Sequence, residues 1–184
     1  LTFNGRAELV LSPDLTVFMR GTYYEEDREN GTPLQINTTY SGSFATGVRA
    51  RTGDGSEWTG TVFTDFQAFR STFSTQAADR NSETLALDQR VPSTAVGAAF
   101  SWSRAFGAHR LLAGTDLRWI DGETDERVYV AGAFARTRVA GGEQQIYGLF
   151  VQDVYRPIPL LELVAGIRGD YWRAGGRKQI AFLN

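Results

Sequence analysis

The sequence predicts an all-β fold, a transmembrane antiparallel β-barrel, and three observations carry that reading. One unit recurs four times: strand, tight polar turn, strand, long polar loop. Along each strand apolar and polar residues alternate with period two, as they do where the two faces meet different surroundings. The strands are also long, about 10–14 residues, where a tilted membrane strand needs about 9–11 and globular strands peak near 5–6. Outer-membrane barrels have this rhythm, with short turns on the periplasmic side and long loops outside the cell.

Taken in order, the first strand sets Phe3, Gly5, Ala7, Leu9 and Leu11 against Asn4, Arg6 and Glu8. After the turn Ser12-Pro13-Asp14, the second sets Leu15, Val17, Met19, Gly21 and Tyr23 against Thr16, Phe18, Arg20, Thr22 and Tyr24. A long loop over residues 27–38 leads to the third strand, residues 40–51, with Phe44 and Val48 opposite Ser43, Gly47, Arg49 and Arg51. The turn Thr52-Gly53-Asp54-Gly55-Ser56 opens the fourth, residues 58–70, where Trp58, Val62, Phe66 and Ala68 oppose Asp65 and Gln67. Gly53-Asp54-Gly55 supplies turn geometry and no phosphate cradle, since no helix follows it.

A second long loop, residues 75–91, precedes the fifth strand, in which Val96, Ala98, Phe100 and Trp102 oppose Ala95, Gly97, Ser101 and Ser103. The turn Phe106-Gly107-Ala108-His109 leads to the sixth, with Leu111, Ala113, Leu117 and Trp119 against Asp116 and Arg118. A third loop over residues 121–143 leads to the seventh, where Tyr147, Leu149 and Val151 oppose Gly148, Phe150 and Gln152. Past the turn Pro157-Ile158-Pro159, the eighth sets Leu161, Leu163, Ala165, Ile167, Gly169 and Tyr171 against Glu162, Gly166, Arg168 and Asp170. The last long loop is expected from Ala174 onward.

Arg20, Asp116 and Arg168 lie mid-strand, and a basic residue on a lipid face would cost about 2–4 kcal/mol. These charges are therefore expected to point into the lumen. Aromatic residues fall in two bands, as girdles at the headgroup levels require. Trp58, Trp102, Phe106 and Tyr155 lie near the tight turns; Tyr23, Tyr24, Tyr40, Phe69, Trp119, Tyr147, Tyr171 and Trp172 lie near the long loops. The competing reading is a soluble β-sandwich with an aromatic core.

Composition agrees without deciding. The 184 residues are 42% apolar, values that suit a soluble protein but also a barrel whose faces average out. No stretch approaches the roughly 20 apolar residues of a membrane helix. The 20 glycines fit strands that twist and pack closely. Absence of cysteine excludes a disulfide framework and a thiolate metal site. A net charge of −2 argues against nucleic acid as a partner. There is no initiator Met and no secretory signal at Leu1, so a truncated chain is the expectation.

Chemistry-bearing clusters are few. The acidic run Asp121-Gly122-Glu123-Thr124-Asp125-Glu126-Arg127 lacks the spacing of an EF-hand and reads as solvated loop charge, as does Glu25-Glu26-Asp27-Arg28-Glu29. His109 is the single histidine, which rules out a multi-histidine metal site within the segment. No catalytic residues, cofactor or metal site are expected, and no enzyme activity.

A more specific likeness begins at Ile146. Tyr147-Gly148-Leu149-Phe150-Val151-Gln152-Asp153, then Arg156-Pro157, then Leu161-Glu162-Leu163-Val164-Ala165-Gly166-Ile167-Arg168-Gly169-Asp170-Tyr171 resembles a barrel hairpin of the TonB-dependent outer-membrane receptors. Gly169 stands where that hairpin usually has an aromatic. The match covers about a seventh of the chain; the rest resembles the family in strand and loop rhythm alone.

The resemblance implies a section of about eight consecutive strands from a 22-stranded barrel, residues 1–184, with the plug domain and the TonB-engaging motif absent from the sequence. It implies transport of a scarce nutrient (siderophore, cobalamin or carbohydrate) across the outer membrane of a Gram-negative cell. The partners would be outer-membrane lipid, the plug domain of the same full-length protein, the TonB complex through the N-terminal part, and a small-molecule substrate of unknown identity. Tyr24, Arg127 and Tyr129 are the candidate substrate contacts. Arg20, Asp116, Arg118, Arg168 and Asp170 are the lumen-facing polar set, with Glu162 grouped beside them. A ladder of ion pairs stabilising the wall is their expected role; guiding a charged substrate or gripping the plug is the alternative. Two other functions compete: a small closed eight-stranded barrel with a structural or adhesive role, in which residues 1–11 pair with residues 160–173, and a barrel-type phospholipase or protease, for which no nucleophile and partner can be placed.

Overall fold

The structure is a computed structural model that describes residues 1–182. Eight antiparallel strands follow in chain order: β1 (Thr2–Ser12), β2 (Leu15–Glu29), β3 (Ile36–Arg51), β4 (Glu57–Gln76), β5 (Glu83–Phe106), β6 (His109–Val130), β7 (Ala133–Ile158) and β8 (Leu161–Phe182). Each pairs with its sequence neighbour in a single sheet, a meander without crossovers. Among the described residues β1 and β8 each pair on one side alone, so the sheet is open. That overturns the closed eight-stranded barrel, which needed β1 against β8.

Register follows from alternation. Ala7, Met19, Thr46, Val62, Ala98, Leu117, Tyr147 and Tyr171 form one continuous cross-strand row, and Leu9, Val17, Val48, Gly60, Phe100, Thr115, Leu149 and Gly169 form the next row on that face. The opposite face carries Glu8, Phe18, Gly47, Thr61, Ala99, Asp116, Gly148 and Asp170 in one row. Because side chains alternate strictly, a one-residue slip anywhere would move a whole strand's apolar set onto the polar face. The polar face suits a lumen and is the inner one; the apolar face is the outer one.

Burial excludes the soluble sandwich. The buried apolar residues among those described are Ala45 and Ala95, and no large side chain is fully buried. The outer face leaves Leu9, Leu149 and Ile167 exposed by 61%, 67% and 73%. Soluble proteins rarely expose so continuous an apolar surface, whereas hydrocarbon would cover it at no cost.

Two expectations need correction. The long loops are mostly strand: the connections span only residues 30–35, 77–82 and 131–132, and β8 continues through Phe182 where a loop was expected from Ala174. Leu183 and Asn184 lie outside the described residues. Above the membrane both faces meet water, so alternation fades and charge-rich strands read as loops. The 131–132 connection is a two-residue hairpin turn in which Ala131 and Gly132 both have positive φ, 50° and 79°. Turns of that hand match the twist of the strands they join. Finally, the last tight turn lies at Pro159-Leu160, since β7 runs on through Ile158.

Candidate functional site

The inner face is the candidate site, and its geometry is set by guanidiniums reaching across strands. Arg168 on β8 donates to both carboxylate oxygens of Asp116, at 2.8 and 3.1 Å, from two strands away. It also donates to Asp170 at 2.6 Å on its own strand. Gly148 on β7, in register between Asp116 and Asp170, makes the bridge possible: a Cβ there would lie 2.1 Å from the Arg168 Nη2. A bidentate fork of this kind fixes geometry as well as charge.

The expected polar set is thus only partly assembled. Asp116, Arg168 and Asp170 come together. Arg118 instead faces Asp65 on β4 at 3.6 Å and lies 5.9 Å above the Phe63 ring. Glu162 is not in the group; it accepts from Arg156 at 2.5 Å beside the last turn. Arg20 lies in register between Arg6 and Ala45, with no ion pair among the described residues.

Two carboxylates that sequence reasoning left unassigned turn out to be bridged. Glu8 takes Arg6 at 2.5 Å and also Arg49. Glu57 takes Arg51 at 2.8 Å and Arg110 at 2.9 Å. Nearer the outside, buried Glu126 accepts from Gln89 at 2.9 Å and pairs with Arg138. Alternation puts Arg6 and Glu8 on one face of the first strand and Arg49 and Arg51 on one face of the third, but strand register decides the partners. Between these groups the wall holds a polar concavity of about 300 Å³, with Ser41, Ser43, Asp65, Gln67, Ser93 and Arg118 in its lining.

The three candidate substrate contacts are not brought together. Tyr24 lies on the inner face in register with Ser41. Arg127 is at the far end of β6, opposite Asp88, on the continuation of the outer face. Tyr129 packs edge-on against Phe134 at 5.8 Å beside the hairpin turn. Outside the membrane span, Glu83 ties the loop at residues 30–35 to β4. Its carboxylate accepts from the Leu34 amide at 3.2 Å and from the Thr32 and Ser74 hydroxyls. Among the described residues no group of three His, Cys, Asp or Glu side chains is placed to hold a metal ion.

Comparison with solved structures finds the same sheet in much larger barrels. The ferripyoverdine receptor of the outer membrane of Pseudomonas aeruginosa, bound to ferripyoverdine, superposes with a TM-score of 0.70 at 11% identity, over 99% of this chain and 31% of that one. The FpvAI–pyocin S2 complex gives 0.69 at 11% identity, over 98% and 32%. The unliganded ferric citrate transporter FecA gives 0.67 at 10% identity, over 96% and 30%. The chain spans about a third of the length of these structures. At such identities the likeness is one of fold. No curated protein sequence matches the chain. A family model described as TonB dependent receptor-like, beta-barrel, matches residues 2–182, and that family comprises outer-membrane transporters of Gram-negative bacteria and not enzymes. The chain belongs to the TonB-dependent receptor β-barrel family.

Proposed function

We propose that these eight strands are a lumen wall of a receptor that takes up a scarce nutrient through the outer membrane. The observation that carries the reading is the split sheet: an exposed apolar outer face suited to lipid, and an inner face of bridged charges suited to a wet lumen. Its two free edges need further strands, since lipid leaves no unpaired backbone unsatisfied. The plug domain and the energising TonB complex would come from the rest of the full-length protein. Solved barrels of the same fold include a receptor bound to ferripyoverdine and a ferric citrate transporter; ferric siderophores, cobalamin and oligosaccharides are the substrates to test for this chain. Tyr24, inner-facing at the level where the lumen opens outward, is the leading contact; Arg127 and Tyr129 are secondary candidates at the far end of β6, Arg127 on the side turned away from the lumen.

The test is uptake of radiolabelled ferric siderophores, cobalamin and maltooligosaccharides by cells with and without the full-length gene. Loss of one uptake on deletion, abolished equally in the parent when the proton-motive force is collapsed, is the expected result. If none of the panel depends on the gene, the receptor reading fails for these nutrients.

A further inference from the structure

Charge is sorted between the two faces of the sheet, and composition conceals it. The chain carries 19 basic and 21 acidic residues, a net of −2. The strand registers place 12 of those 19 and 8 of those 21 on the inner face, a net of +4. The other 7 basic and 13 acidic residues lie on the outer face, in turns and in loops, a net of −6.

The surplus has a local origin toward the tight-turn end. Glu8 sits between Arg6 and Arg49, and Glu57 between Arg51 and Arg110, so two guanidiniums share each carboxylate. Arg20 adds a charge directly opposite Arg6, an arrangement that destabilises a sheet in isolation. A ladder built for stability alone would match charges one to one, because surplus charge repels itself. The inner side chains of β5 here are small (Ala95, Gly97, Ala99, Ser101), which leaves this charge open to the space beside the wall.

We propose that this section of wall borders a water-filled path that favours multivalent anionic solutes, those bearing several carboxylate or phosphate groups. The inference rests on the receptor reading and names its substrate class. Guanidiniums suit such groups because their donors form a planar fork matched to carboxylate and phosphate oxygens. A surplus of fixed charge along a low-dielectric wall also raises the local concentration of the opposite charge.

The wall can be probed in the intact full-length receptor in outer-membrane vesicles, using Ser101→Cys on β5. Reaction rates are measured with an anionic sulfonatoethyl and a cationic trimethylammonioethyl methanethiosulfonate, each divided by its rate with free mercaptoethanol, and with the unsubstituted receptor as background. A shift in the thiol's own acidity cancels in the ratio. The expected result is an anionic preference of about threefold or more near 0.1 M salt. It should fade at 1 M salt, where the screening length falls to about 3 Å. It should also drop in Arg49→Gln, which lies in the same cross-strand row about 10 Å away. A ratio of one or less overturns the proposal. So does a thiol that neither reagent reaches, because a wall sealed by packed protein, the plug included, guides no solute. Uptake that depends on the gene while the ratio stays at one would sink the anionic preference and leave the receptor reading in place.

Discussion

Three inner-face glycines lie under phenylalanine rings from the neighbouring strand: Gly47 under Phe18, Gly97 under Phe63 and Gly114 under Phe150, each pair in register. The ring fills the space that a side chain would take and covers backbone that glycine leaves bare. A Cβ at Gly97 would lie 2.4 Å from the Phe63 ring and 2.7 Å from the Leu117 carbonyl oxygen. The ring can turn away, but the backbone oxygen cannot without straining the sheet. Gly97→Ala should therefore destabilise the receptor by about 1–3 kcal/mol, read as a lower temperature for converting the folded, fast-migrating band on an SDS gel. Gly169→Ala meets nothing within 4 Å and should leave that temperature unchanged. Equal effects of the two would mean that the ring-over-glycine contacts carry no stability.

Among the elements, the turn joining β3 and β4 is held by Asp54. Its carboxylate accepts from the Thr52 hydroxyl at 2.5 Å and from the Ser56 amide and hydroxyl, both at 3.1 Å, and takes Arg104 at 2.6 Å. The Thr52 hydrogen bond, then that of the Ser56 amide, holds its pKa down at about 2 against an ordinary 3.8. A folded pKa below the unfolded one means the contribution is complete above about pH 4 and is lost as pH falls toward 2. Asp54→Asn should thus lower the thermal midpoint at pH 7, and the gap between the two proteins should close between about pH 4 and pH 2. A gap that stays constant over that range would contradict the hydrogen-bonded carboxylate. Strand faces were legible in the sequence because lipid and lumen impose alternation, as in β8 from Leu161 to Tyr171. The outer extensions were not: in β6 from Asp121 to Val130 both faces are solvated, so nothing forces a period of two. Ion partners were legible only as face-mates. Arg168 and Asp170 share a strand and could be joined, whereas Glu8 with Arg49, or Glu162 with Arg156, depends on register and on distance from a turn.

For the whole molecule, the sheet makes sense as part of a closed surface. β5, at 24 residues, measures about 80 Å along its length at about 3.3 Å per residue. The apolar band of a barrel is about 25 Å tall, so even a strand tilted by about 45° stands well clear of the membrane. The wall therefore continues outside as a two-faced sheet in water, its inner face carrying the Glu126–Arg138 pair and its outer face the Arg70–Asp88 pair. The inner and outer assignment underlies both the receptor reading and the charge sorting. It is tested most directly by scanning nitroxide labels along residues 111–119 of β6 in the full-length receptor, reconstituted in liposomes. Collision with oxygen, which concentrates in lipid, is compared at each site with collision with a water-soluble nickel chelate. Labels at Leu111, Ala113, Thr115, Leu117 and Trp119 should favour oxygen, and those at Leu112, Gly114, Asp116 and Arg118 the chelate. A profile without that alternation, or with its sign reversed, would contradict a lipid-facing apolar surface and a polar lumen.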